Sequence, residues 1–247
     1  MGQNVDSYKW TNPESKEVVN FANLLEMVAQ VHPDLRIRFS TSHPKDITDE
    51  VLHTIAAYEN ICNYIHLPVQ SGNSRILKMM NRTYDREWYM ERVESIYRII
   101  PDCAISADII TGFCSETEEE HQDTLSIIES SQYTMSYMFY YSERPGTMAA
   151  RKYPDDIPLE VKKRRLAEVI ELSAKVSFDL NKKDIGKTFK VLIEGYSKRS
   201  DQFFKGKNSQ YKVIIFPIIE GYKPGDYVMV KVNEATSATL KGEIVTS

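Results

Sequence analysis

The chain has 247 residues, 42% of them hydrophobic, enough to bury a large core in one domain or two. No apolar run approaches the ~20 residues that cross a bilayer, and residues 1–6 are neither basic nor apolar, which argues against a membrane span or a leader and predicts a cytoplasmic protein. The net charge of -4 divides unevenly: residues 1–185 carry 21 basic and 29 acidic side chains, and residues 186–247 carry 10 and 6, so a basic tail follows an acidic body.

Taken in order, four strand-like runs at 36–40, 64–69, 104–110 and 135–141 alternate with helical patterns, which predicts repeated βα units around a parallel sheet. Residues 16–31 repeat apolar groups at Phe21, Leu24, Leu25 and Val28 and predict the first helix, stopped by Pro33. Further helices are expected at 49–58, 87–100 and 118–128, the last opened by a capping box from Ser115 to Glu118. After the loop Ser142-Glu143-Arg144-Pro145-Gly146-Thr147, Pro158 opens a long helix that Gly186 ends. Its basic run, Lys162-Lys163-Arg164-Arg165, reads as a solvated face. Beyond Gly186 the period changes to two over 189–193, 211–216, 227–232 and 239–245, the mark of a small all-β domain. The boundaries expected are 1–185 for the α/β part and 186–247 for the β part.

Cys62, Cys103 and Cys114 are odd in number and 41 and 11 residues apart. That spacing fits neither a disulfide framework nor a metal knuckle, so buried reduced thiols are expected and no metal ligand is assigned. The strands carry more chemistry. In 64–69 the residues Ile65, Leu67 and Val69 point one way while His66 and, beyond the run, Gln70 point the other. The same alternation puts Arg36, Arg38, Ser40, Ser106, Asp108, Tyr137, Phe139 and Tyr141 on the inner face. Barrel interiors of this kind are usually aliphatic, so an interior with Arg, His, Gln and Asp predicts a cavity for a polar ligand near the C-terminal mouth. Arg144 suits a carboxylate or phosphate clamp, and the aromatic group at 137–141 suits base stacking. In the tail, Lys190, Lys198, Arg199, Lys205, Lys207 and Lys212 interleave with Phe203, Phe204 and Tyr211, as phosphate neutralisation plus stacking requires.

Six motifs in one order carry a resemblance: Gly2-Gln3-Asn4-Val5-Asp6-Ser7-Tyr8, Arg38-Phe39-Ser40-Thr41-Ser42-His43-Pro44, His66-Leu67-Pro68-Val69-Gln70-Ser71-Gly72, Met80-Asn81-Arg82, Asp108-Ile109-Ile110-Thr111-Gly112-Phe113 with Glu116-Thr117-Glu118, and Tyr141-Ser142-Glu143-Arg144-Pro145-Gly146-Thr147. Over its whole length the chain resembles the radical S-adenosylmethionine tRNA methylthiotransferases, most closely the branch that adds a methylthio group to isopentenyl-modified adenosine beside the anticodon. The tail resembles their TRAM domain.

The resemblance implies a partial (βα) radical-SAM barrel followed by an RNA-binding TRAM β-barrel. It implies S-adenosylmethionine across the strand C-termini, with Gln3, Asn4, Ser40, His66, Gln70 and Asp108 toward the cofactor or target base. For the tRNA anticodon stem-loop, Tyr141, Arg144, Lys198, Arg199, Lys205 and Lys207 are the expected contacts. The family's two 4Fe-4S clusters need cysteines that should precede Gly2 and are absent, so the chain is expected to be inactive alone, to contain no catalytic residue of its own, and to require a companion N-terminal half. Cys114 and Met148 stand where the family often has proline. A branch acting on threonylcarbamoyl-adenosine, a non-catalytic tRNA-binding module, and an unrelated enzyme using His66 and Asp108 as an acid–base pair are the competing readings.

Overall fold

The computed structural model describes residues 5–40, 43–198 and 200–245. A short antiparallel hairpin, β1 (Lys9–Thr11) and β2 (Val18–Asn20), leads into α1 (Phe21–Ala29). The helix expected from residue 16 starts five residues later, because Asn20 caps it. The Asn20 side chain accepts from the Asn23 amide and the Asn23 side chain accepts from that of Asn20. Then follow α2 (Asp49–Ala57), β3 (Tyr64–His66), α3 (Ser74–Met79), α4 (Arg86–Ile99), β4 (Ala104–Thr111), α5 (Glu118–Ser131), β5 (Met135–Tyr140), α6 (Met148–Lys152) and α7 (Leu159–Lys182).

Strands β3, β4 and β5 form a parallel sheet in that order, with His66 opposite Ser106 and Asp108 opposite Tyr137. Among the described residues the run at 36–40 contributes a single bridge, Ile37 to Ile61. Ile65, Leu67, Val69, Ile105, Ala107 and Ile109 are all buried in the main core with α4, α5 and α7, as their alternation requires. The capping box on α5 lies two residues beyond the expected one, at Thr117 and Glu120. Ser115 is left-handed, with φ 57, and its amide donates to Asp156, while the Glu118 carboxylate is held by Arg164 and Arg165.

The basic run on α7 is not one solvated face. Arg165 is buried in an ion pair with buried Glu116 at 2.8 Å, and Lys162 is buried between the Tyr141 carbonyl and Asp155; only Lys163 and Arg164 reach solvent.

The long helix ends at Lys182 on a right-handed cap, Lys183, so Gly186, expected to end it, instead sits in the turn that follows, with a φ of +88. Beyond it β6 (Thr188–Ser197), β7 (Ser200–Lys207), β8 (Val213–Pro217), β9 (Tyr227–Ala235) and β10 (Leu240–Ile244) close a barrel in the order β10-β8-β7-β6-β9. One strand, β7, was absent from the periodicity reading. The barrel interior holds Val191, Ile193, Phe204, Ile214, Phe216, Val228, Val230, Val232 and Leu240. Phe204, expected to stack on bases, is therefore core, at 1% exposure.

The barrel docks across the N-terminal ends of the parallel strands. Arg36 donates to the Lys207 carbonyl at 2.6 Å, the Asn63 amide to Ser209 at 2.9 Å, Gln210 to the Asp102 carbonyl at 2.7 Å and the Tyr227 hydroxyl to the Asp34 carbonyl at 3.0 Å. Among the described residues no helix is long and apolar enough to cross a membrane.

Candidate functional site

The inner face of the sheet carries a continuous polar chain. Ser106, fully buried, lies 2.7 Å from the Tyr64 hydroxyl and 2.8 Å from His66 Nδ1, and His66 Nε2 faces Asp108 at 3.5 Å. Burial pushes the Tyr64 hydroxyl up to about 12, so it stays a donor. Tyr137 stands edge-on to His66 at 5.8 Å.

Two of the cavities that open along this sheet share Asp108. The mouth cavity, about 770 Å³, sits at the C-terminal ends of the strands and takes in Gln70, Asp108, Tyr141 and Arg144. The seam cavity, about 530 Å³, sits between the sheet and the barrel and takes in Ser40, His66, Asp108 and Lys207. The residues read as one inner-face group are thus divided between the two, except Arg36 and Ser106, which line neither. Lys198 and Lys205 line neither and lie on the barrel, while Gln3, Asn4 and Arg199 lie outside the described residues.

The mouth is shaped by the loop after β3. Gln70 takes φ 71; its amide donates to the Asp108 carbonyl and its own carbonyl accepts from Ile110, both at 2.8 Å, so the turn is stitched to β4. Gly72 has no alternative: a Cβ there would meet the Asp123 carbonyl at 2.3 Å. Arg86 holds the Gly72 and Asp123 carbonyls together at 2.8 and 2.6 Å.

Four lining residues, Met79, Met80, Asn81 and Arg82, were missed as site residues. Met79 ends the short helix α3 and the other three follow it, where strand alternation carries no information. The available signal was Asn81 after a helical run, and it does take φ 58 at the helix end. Arg82 Nε is buried with no hydrogen-bond partner among the described residues, a donor held ready for an acceptor. At the far wall Tyr141 packs edge-on against Phe113, and burial pushes its hydroxyl up to about 12.

The barrel lysines are partly committed elsewhere. Lys190 pairs with Asp34, Lys212 with Asp184, and the Lys207 ammonium lies 3.4 Å from the centre of the Tyr211 ring. The three cysteines are free and buried, each in a different loop: before β3, before β4 and after β4. Burial raises the thiols of Cys103 and Cys114, and Cys62 accepts from Arg38 Nε, so they do not fit as cluster ligands. Glu118, His121 and Glu168 cluster behind the sheet, but Arg164 and Arg165 hold the carboxylates, which makes an ion-pair network.

A parallel sheet with a polar inner face and a mouth cavity at its C-terminal ends is the architecture of a (βα) barrel enzyme, and the comparisons agree. Residues 11–128 match the radical SAM superfamily and residues 182–245 match the TRAM domain. The fold is shared with coproporphyrinogen III oxidase (HemN) from Escherichia coli, a radical SAM enzyme, at a TM-score of 0.50 and 15% identity over 76% of this chain and 50% of that one.

Among curated relatives, the tRNA-2-methylthio-N(6)-dimethylallyladenosine synthase of Amoebophilus asiaticus is 63% identical over all of this chain and 52% of its own length. That of Phocaeicola vulgatus is 54% identical over 99% of this chain and 53% of its own. The chain thus carries a radical SAM region followed by a TRAM domain, and it spans about half the length of the relatives it matches.

Proposed function

We propose that this chain is the C-terminal portion of a cytoplasmic tRNA methylthiotransferase that converts N6-isopentenyladenosine beside the anticodon to its 2-methylthio derivative. The carrying observation is kinship over the whole chain with synthases of that name, at 63% identity in one case. The division at Gly186 separates the half-barrel that binds cofactor from the β-barrel that grips the anticodon stem-loop.

S-adenosylmethionine, when bound, supplies a methyl group and a 5′-deoxyadenosyl radical. The mouth fits it: Asp108 offers a carboxylate to the cofactor's positive charge, Arg82 an unused donor to its carboxylate, and Gln70 a polar amide held by the stitched loop. The sheet and the rings of Phe113 and Tyr141 exclude water from one side. Tyr141 and Arg144 stand at the outer rim for the substrate. No step through an iron–sulfur cluster is assigned to this chain, because its cysteines do not fit one.

The test is complementation. The chain reconstituted with iron and sulfide should not cleave S-adenosylmethionine reductively. Supplied with a companion polypeptide carrying the cluster cysteines, it should methylthiolate isopentenyl-modified tRNA and leave threonylcarbamoyl-modified tRNA unchanged. Reductive cleavage by the chain alone would overturn the proposal, as would the reverse substrate preference.

A further inference from the structure

We propose that the seam cavity is a second nucleotide subsite, receiving one unstacked base of the bound RNA at a place distinct from the mouth. This rests on the RNA reading above and deepens it. Four observations carry it.

The cavity has aromatic walls from both folding units: Tyr64 and Tyr137 from the sheet and Tyr211 from the barrel, with Tyr64 and Tyr211 stacked at 4.6 Å. Tyr137 presents an open ring, 44% exposed, beside the His66 imidazole. Such rings take any base, because every base has a π face.

The cavity's charge suits a base better than a phosphate. Arg38 and Lys207 are matched by Asp108 and Glu194, and Arg38 is already paired with Glu194 at 3.0 Å. A neutral planar ring with donors and acceptors on its edge meets His66 and Asp108 there without unbalancing those charges.

Tyr211 is held in place at a backbone cost. Its φ is 64, in the region that disfavours side chains with a Cβ, and the turn is fixed by its amide donating to the Asn208 carbonyl and that of Lys212 to the Asn208 side chain. The result aims its ring across the seam, with Arg38 at 5.0 Å and Lys207 at 3.4 Å.

A track leads outward from the cavity. In β7, Phe204 and Gly206 face the barrel core, so Phe203, Lys205 and Lys207 share the outer face about 6.6 Å apart. Lys207 lines the cavity, Lys205 has no ion-pair partner among the described residues, and Phe203 is exposed. Cations and aromatics in that order neutralise phosphates along the track and deliver one base to its end.

The experiment titrates the chain into an RNA stem-loop carrying 2-aminopurine at successive loop positions. One position should lose its fluorescence on binding through stacking. Tyr137→Ala, at an exposed ring, should abolish that quenching and weaken binding about 5-fold or more without changing the thermal melt. Lys205→Ala should keep the quenching and lower the slope of log affinity against log salt by about 1. RNA that binds with no quenching, or quenching indifferent to Tyr137→Ala, overturns the subsite alone. RNA that does not bind overturns the subsite together with the RNA reading.

Discussion

The two β structures of this chain bury opposite kinds of interior. Inside the closed barrel every core side chain is apolar, from Val191 to Leu240. On the inner face of the parallel sheet stand Tyr64, His66, Ser106, Asp108 and Tyr137, hydrogen-bonded or in contact mainly with one another. The barrel closes on itself and satisfies its own edges. The sheet keeps β5 as an edge among the described residues and places its apolar side chains only under the helices. A closed apolar core leaves only the outside of the barrel for function, whereas the sheet has its chemistry on the inside.

The sharpest way to break this comparison is to damage the barrel alone. Phe216→Ala should cost about 3–5 kcal/mol, because a fully buried ring leaves a cavity. Hydrogen exchange should show lost protection over 188–245 with the sheet amides still slow. Equal loss in β4 would mean that the two regions are one cooperative unit.

A comparable loss belongs to the sheet side. Arg165→Met leaves the buried Glu116 carboxyl, which burial already pushes upward, without its partner, at a cost of about 3–5 kcal/mol in urea unfolding. Adding Glu116→Gln should recover most of it, since the stranded charge goes. If the double variant were no better than the single one, packing by Arg165 rather than charge would be the cause.

A smaller effect is set by pH. Burial raises the Asp6 carboxyl to about 6, so folding favours its protonated form. Its contribution is complete below about 4 and is lost as pH rises through about 6, by at most about 3 kcal/mol. Asp6→Asn should flatten that fall, measured by denaturation at a series of pH values; an unchanged profile would assign the titration elsewhere.

The least change is expected at the seam. Arg38→Ala removes a partly exposed pair with Glu194 together with its bonds to Cys62 and the Asn208 carbonyl, and should cost about 1–2 kcal/mol. Its use is as a sharpener, because faster exchange at Tyr64 and Tyr211 without global destabilisation would show that the two regions touch but fold separately.

Where residues answer to local rules, their placement was legible in the chain. Ile65, Leu67 and Val69 alternate because one sheet face is under helices, whereas Gly186, expected to end α7, lies four residues past its last helical residue, Lys182. Strand β7 was missed because Ser200-Asp201-Gln202-Phe203-Phe204-Lys205-Gly206-Lys207 mixes polar groups and glycine into a weak alternation.

Arg36, Arg38, Lys190 and Lys207 show the other limit. Nothing near them in sequence reveals that they meet partners more than a hundred residues away, so the docking of the barrel and the division of the inner face into two cavities were invisible. Arg82 was quoted only as part of a motif, because its role depends on a cavity wall contributed by β5 and the loop after it.

The turn between β7 and β8 has a consequence for how this chain can vary. The Asn208 carbonyl accepts from Arg38, Ser209 from Asn63, Gln210 reaches Asp102, Tyr211 stacks on Tyr64 and Lys212 pairs with Asp184, so five consecutive residues each meet a different partner. Substituting one of them loosens one contact. Adding or deleting one shifts the rest together, so this turn tolerates changes of residue better than insertions or deletions, unlike an ordinary surface loop.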